Sequence, residues 1–405
     1  MRGSQRARRA RRLVLVLLAA SSRLNAEGPS PGADAAPAPS ASAPGDEPIL
    51  GPTKPSFRID SVMTRMTGFD QFGHGFQAQG GPILGAGSER TTIFEPQVEV
   101  NASQGDRVKH NLWIPIDIVT AASPHAIDVL TSASRHVEAG SLDWAATYKN
   151  DPTTDLTVRS GLHLENPFRS WHGGLAASRA FAEGNTVLSA GLLEVFDWFD
   201  RFDIHGGRHG RTDRSSTTAN AGLTQILTPT TIANVNYGIT VQRGELGNTW
   251  NSVPLMTGDR GPELLPGERV RHAVVGRAAQ FLPWNGALHL DYRFYADDWG
   301  VIAHSVEGEI LQRLSPSVYV GATYRFHRQR GVSFFTTLAN PEANLRTADS
   351  DLASFDAQTV GGKVAIDVPV DADFRTLHVE VGVDRYVRTN DLQMNVVTCA
   401  TGYRF

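Results

Sequence analysis

The stretch Ala287-Leu-His-Leu-Asp-Tyr-Arg-Phe-Tyr-Ala-Asp297 decides the fold. Leu288, Leu290, Tyr292 and Phe294 fall on one side of an extended chain; His289, Asp291, Arg293, Tyr295 and Asp297 fall on the other. Successive side chains of a strand point to opposite faces, so this alternation describes a strand set between two different solvents. The segment is also longer than the usual soluble strand of about 5–6 residues. It matches the about 9–11 residues that a tilted strand needs to cross a bilayer.

The pattern recurs along the chain. In Ser317–His327, Val318, Val320, Ala322, Tyr324 and Phe326 oppose Tyr319, Thr323, Arg325 and His327. In Thr376–Arg388, Leu377, Val379, Val381 and Val383 oppose His378, Glu380, Asp384 and Tyr386; Asp155–Glu165 and Thr230–Arg243 repeat it. Alternation and turn residues together predict strands near 58–66, 92–103, 107–118, 137–148, 154–165, 170–182, 185–198, 215–228, 230–243, 271–282, 285–297, 301–313, 316–328, 357–368, 374–388 and 393–405. Tight turns occupy Gly105-Asp106, Glu183-Gly184, Pro229, Pro283–Gly286, Ser315-Pro316 and Asp371-Ala372, and long polar loops fall near 67–91, 119–136, 199–214, 244–270 and 329–356. Short turns on one side and long loops on the other, with an even strand number, mark outer-membrane barrels. The expectation is an all-β fold: a transmembrane antiparallel up-and-down β-barrel of about 16 strands, with about 14 as the alternative. Such a sheet must close, because open edges are not tolerated in hydrocarbon.

Composition agrees by exclusion. The chain has 405 residues, 40% hydrophobic and 20% charged, so it can bury a core and is not disordered throughout. Its single cysteine excludes a disulfide framework and zinc sites built on paired cysteines. A mean hydropathy of −0.24 and the lack of a long apolar run exclude a helical membrane bundle.

The first fifty-odd residues read as address and spacer. Residues 2–12 hold six Arg and no acid, Leu13–Ala20 is apolar, and small residues lead to a cut after Ala26. That order describes a secretory signal peptide over 1–26. Its removal takes seven basic residues and no acid, leaving 31 basic against 42 acidic and a net charge of −11. Nucleic acid is then not an expected partner. Residues 27–56 are rich in Pro and Ala and read as a flexible linker, placed in the periplasm, with 57–405 as the barrel. Expected partners are outer-membrane lipid and the barrel-assembly machinery; the oligomeric state stays open. The last strand ends Cys399-Ala-Thr-Gly-Tyr403-Arg-Phe405, and the terminal Phe405 with Tyr403 behind it resembles a membrane-assembly signal.

A family resemblance enters at Tyr292-Arg-Phe-Tyr-Ala-Asp-Asp-Trp-Gly300 followed by His304-Ser305. This strand–turn–strand piece resembles the hallmark of an uncharacterised family of bacterial outer-membrane barrels, known as a domain of unknown function, number thirty-five-seventy. Asp117–Pro124, its near-repeat Asp128–Arg135, Tyr324–Phe335 and Ala348–Phe355 are similar in fragments, so the resemblance runs over about 117–405. The long Pro/Ala linker and the first strand depart from the family pattern. The resemblance implies a barrel in the outer membrane and brings no catalytic set.

The residues on the polar faces are the candidate lumen lining: His289, Asp291, Arg293, Asp297, Glu307, Glu309, Arg325, His327, Lys363, Asp367, His378, Glu380 and Asp384. Rings of such charges select solutes in pores. The competing reading is a salt-bridged filling that braces a closed barrel. Barrels of about 16 strands leave an aqueous lumen where about eight fill with side chains, which favours a channel. Trp299 in the Asp297–Gly300 turn suits an interfacial aromatic girdle. His205-Gly-Gly-Arg-His209, with Asp200, Asp203 and Asp213 near it, fixes no metal geometry and reads as solvated loop; Asp349, Asp351 and Asp356 read as surface charge. No Ser stands in a Gly-x-Ser-x-Gly elbow, and Cys399 falls on the apolar outer face. The expectation is therefore no enzyme, no cofactor and no metal. The leading function is a passive channel or transporter for small polar solutes. The alternatives are a closed structural or docking barrel for an envelope partner, and a barrel for uptake of hydrophobic compounds.

Overall fold

The computed structural model describes residues 57–72, 91–121, 136–202, 207–247, 252–370 and 375–405. Sixteen antiparallel strands close one barrel. In chain order they are β1 (Phe57–Phe72), β2 (Thr91–Gln104), β3 (Val108–Ala121), β4 (His136–Asp151), β5 (Thr154–Glu165), β6 (Arg169–Phe181), β7 (Thr186–Phe202), β8 (Arg208–Thr228) and β9 (Thr231–Gly244). A small separate hairpin follows, β10 (Ser252–Pro254) with β11 (Arg260–Pro262). The barrel resumes with β12 (Glu268–Leu282), β13 (Gly286–Asp297), β14 (Ile302–Arg313), β15 (Val318–Arg330), β16 (Phe355–Pro369), β17 (Thr376–Arg388) and β18 (Gln393–Arg404). Every barrel strand pairs with its neighbour in the chain, and β1 closes on β18 with Ser61 opposite Arg404 and Phe72 opposite Gln393. Closure leaves no barrel strand at an open edge.

Each predicted strand is present. The differences lie at their upper ends, where the long connections are. β7 and β8 run on through Phe202 and Arg208, and β1 runs to Phe72. Asp200–Arg214 is dominated by polar residues and Gly, with only Phe202 and Ile204 apolar, so no sustained alternation announces the extension. The connection at 245–267 carries the β10–β11 hairpin, which the sequence reading left as loop. The leader, the linker, the Asp371-Ala372 turn and most of the 67–91 and 119–136 loops lie outside the described residues, as do residues 203–206, which include the first two of the His205–His209 motif.

The pleat sorts side chains by solvent. On β5, Leu156, Val158, Leu162 and Leu164 are exposed on the outer face, while Thr157 between them is buried on the inner one. Val235, Leu290, Val306, Ile310, Val360, Val364, Val381, Val383 and Val397 continue the outer band. An apolar surface this continuous is far larger than a water-soluble monomer carries. Aromatic groups sit near its edges: Trp171 stacks with Phe196, and Tyr403 meets Phe405 edge-on. Cys399 is exposed on this outer face.

Candidate functional site: the inner wall of the barrel

The inner wall is built from cross-strand charge pairs that lie flat across glycines. Glu309 on β14 is the centre of one group. It accepts from Lys363 Nζ at 2.6 Å and sits 2.9 Å from His289 Nδ1. Lys363 is on β16, two strands away, and crosses β15 at Gly321, where an added Cβ would meet its side chain at 3.0–3.1 Å. Gly361 likewise stands under the Asp384 carboxylate, and a Cβ there would collide with it. Asp143 on β4 reaches His172 on β6 at 2.8 Å across Gly161. Long polar side chains thus hug the wall instead of projecting from it.

The thirteen residues read from the sequence occupy one continuous face, from β13 to β17. Asp291 faces Arg277 at 3.5 Å, and Glu307 stands directly opposite Arg325 in the β14–β15 register. Arg293 pairs in register with Val275 and Ser305. His327 Nδ1 is 2.8 Å from Ser305 Oγ. His378 Nδ1 lies 2.7 Å from Asp367, with the Tyr319 ring stacked on it and the Tyr319 hydroxyl donating to Glu380 at 3.4 Å. Asp297 differs from the others. Its side chain is 0% exposed, held by Arg269 (2.5 Å), the Tyr295 hydroxyl (2.8 Å) and the Val301 N–H (2.9 Å), so it braces the turn and meets no solvent.

The sequence reading missed the wall charges of the other strands. Glu95, Glu99, Asp117, Asp143, Arg159, His163, Glu165 and His172 share the inner face of β2–β6, and Arg269, Arg271 and Arg277 that of β12. The signal was present, since each alternates with an outward residue such as Val98, Ile116, Leu142 or Leu162. On β12 it was blurred by the outward His272 and the inward Ala273 and Val275. Among the described residues, no group of three or more His, Cys, Asp or Glu side chains is arranged to hold a metal ion.

Above β12–β16 residues 245–247 and 252–267 pack with the connection 331–354 into a rim. Trp299, Val301, Val332 and Leu352 form its core, with Leu246, Leu265 and Phe335 against them. Trp299 is 8% exposed and donates from Nε1 to the Glu268 carbonyl at 2.8 Å, with the Arg269 guanidinium over its ring. This corrects the girdle expectation. Its side chain turns into the rim because the Gly300 turn (φ +95°) folds back over β12. Val253, Ala339 and Ala348 make a second small core, and Arg346 binds the carbonyls of Pro262 and Pro341.

Asp349 and Asp351 belong to this rim and are not free surface charge. Asp351 pairs with Arg388 at 2.7 Å, and the Asp349 side chain accepts from the Asp351 N–H at 2.9 Å. Burial, with the nearby Asp351 and Glu263 charges, pushes the Asp349 carboxyl up to about 7. A carboxyl with a folded pKa above its unfolded value of about 4 binds its proton more tightly when folded. Its contribution is therefore full below that unfolded value and is lost as pH rises through about 7. The rim should resist protease cleavage within 331–354 better at pH 5.5 than at pH 8. Limited proteolysis of the unaltered protein and of Asp349→Asn checks this, and the variant should lose most of the difference.

Comparison with known proteins follows from this geometry. A protein-family model described as "Protein of unknown function (DUF3570)" matches residues 194–401, just over half of the chain. The chain belongs to that family. The DUF3570 match runs from within β7 to within β18, so it takes in the wall charges on β13–β17 and the packed rim. No curated protein matches the chain. Among solved structures, a bacterial polysaccharide outer membrane secretin is 9% identical, with 85% of this chain and 98% of that one covered at a TM-score of 0.45. OccK1 (OpdK) of Pseudomonas aeruginosa is 9% identical, with 86% and 98% covered at 0.43. A BenF-like porin from Pseudomonas fluorescens Pf-5 is 9% identical, with 86% and 99% covered at 0.43.

Proposed function

We propose that this barrel resides in the bacterial outer membrane and passes small polar solutes passively through its lumen. The observation that carries the reading is the accessibility of charged side chains on the inner wall. Arg277 and Asp291 face each other on that wall, yet their side chains keep 30% and 29% of their surface. His163, Glu165, His172 and Asp143 are comparably accessible. A barrel filled by its own side chains would bury such groups outright, because unfilled polar space in a dry core is costly. A ring of sixteen strands has the width to hold water there.

The outer apolar band supplies the lipid contact that this location requires. Residues 1–26 are then the export signal, 27–56 a periplasmic linker, and Tyr403 with Phe405 the signal read by the assembly machinery. The reading makes no use of catalysis or of a cofactor. Recording from the refolded protein in a planar bilayer should give discrete conductance steps; a folded, inserted barrel that stays silent would overturn the proposal. A docking barrel is the second reading, favoured by the packed rim over β12–β16. It predicts that silent outcome together with a stable envelope partner that is lost when residues 27–56 are deleted.

A further inference from the structure

We infer that the inner wall holds a binding site for a small monocarboxylate at Arg271, near the loop-bearing end of the lumen. The inference rests on the accessible lumen of the reading above, but it does not require the lumen to conduct. Arg271 is the fourth residue of β12, just below the long connection 245–267. It is on the inner face, between Thr240 of β9 and Asp297 of β13 in the register. The charged groups nearest to it are Arg269, Asp297 and Arg214, with the Tyr295 hydroxyl beside them.

The two carboxylates in reach are already engaged. Asp197 is held by Arg214 and by the Ser170 hydroxyl. Asp297 accepts from two nitrogens of Arg269, from the Tyr295 hydroxyl and from the Val301 N–H. Three guanidinium groups therefore stand against two carboxylates, and the charge left over is that of Arg271. Arg269, Arg214, Arg277 and Arg388 each reach a carboxylate. Arg271 makes no hydrogen bond or ion pair among the described residues, and its Nε is enclosed without a partner while its terminal nitrogens are not enclosed. The wall beside it is neutral. Thr240 and Thr218 bond each other at 2.9 Å, Gln242 donates to Ser216 at 3.1 Å, and all four side chains are buried.

A partly buried cation without a counter-ion has lost hydration that nothing in the protein replaces. The open end of a guanidinium is a planar fork, and a carboxylate matches it with two parallel hydrogen bonds. The size of the unmatched charge sets the class further. A monoanion neutralises it, whereas a dianion would bring a second negative charge that Arg269 and Arg214, each bound to its own carboxylate, are not free to take. The geometry thus favours a monocarboxylate, bound end-on from the lumen.

The test uses benzoate as the probe and the full chain in lipid nanodiscs at pH 8. Saturation-transfer NMR gives the affinity, and single-channel recording of the same preparation gives the conductance. Arg271→Gln should weaken benzoate binding about tenfold or more, the usual loss for a charge-assisted hydrogen-bonded pair. Arg271→Lys keeps the charge without the fork and should lose only part of the affinity; it serves if Arg271→Gln does not fold. Benzyl alcohol, uncharged and of similar size, should not distinguish the unaltered protein from Arg271→Gln. Arg385→Gln, on the outer face of β17, should bind benzoate as the unaltered protein does. Absence of benzoate binding to the folded, unaltered barrel, or equal binding to Arg271→Gln, overturns this inference and leaves the channel reading untouched. A barrel that binds benzoate through Arg271 yet stays silent keeps this site and removes the channel.

Discussion

Replacing Val383 by Arg should cost the barrel about 2–4 kcal/mol of stability in lipid vesicles. Val383 is in the middle of β17, points outward and is 55% exposed, flanked in the register by Gly362 and Val397. Its surroundings on the outer face are Val360, Val364, Val381 and Val397, and the nearest polar group on that face is Arg385, two residues on, already bonded to Asn395. If that face meets hydrocarbon, the charge must thin the bilayer or stretch toward an interface, and the penalty is largest at mid-depth. If it meets water, an exposed Val→Arg change should fall within about 0.5 kcal/mol. Urea titration of the vesicle-embedded protein, read by tryptophan fluorescence, separates the two. A change of a few tenths of a kcal/mol would remove the lipid assignment.

Arg269→Ala should destabilise the rim by about 3–5 kcal/mol, because it strands a buried carboxylate. Arg269 is 10% exposed, and Asp297 is wholly covered. Two guanidinium nitrogens reach one Asp297 oxygen at 2.9 and 2.5 Å, and the same guanidinium lies 4.4 Å over the Trp299 ring. The substitution therefore removes a charge partner and part of the packing of the rim core at once. Lys at this position keeps the charge but not the fork, so Arg269→Lys should recover only part of the loss. Arg269→Ala with Asp297→Asn should be milder than Arg269→Ala alone, since no uncompensated charge remains. Pulse proteolysis of the 331–354 connection gives the readout. A loss below about 1 kcal/mol would mean that the pair behaves like a solvated surface bridge.

The barrel itself was legible because its two faces meet different solvents. In β13 and β17 side chains alternate in character, and the closed sheet repeats that parity, with register shifts only near strand ends, at Ile59/Ser61, Lys149/Asp151, Asp200/Phe202 and Ile226/Thr228. Legibility fails where both faces see the same environment. Asp200–Arg214 is mostly polar and Gly-containing, with only Phe202 and Ile204 apolar, and the sequence shows a loop where β7 and β8 continue as a two-stranded ribbon. Trp299 fails for another reason. A turn Trp beside a strand end has two places to bury its ring, the bilayer interface or a neighbouring loop, and only the tertiary fold brings Leu246, Leu265 and Leu352 within reach.

The inner wall was half legible. Parity assigned the charges of β13–β17, but the partners were hidden, because Lys363 reaches Glu309 across an intervening strand at a glycine.

The central claim is that Asp291 looks into an open aqueous path while Cys399 looks away from it. Single-channel recording with a charged, membrane-impermeant thiol reagent tests this directly. In an Asp291→Cys, Cys399→Ala protein, adding the reagent should lower the conductance in irreversible steps, and the unaltered protein with its native Cys399 should show none. Conductance that ignores a modified residue 291, or that falls on modification of Cys399, would contradict the account.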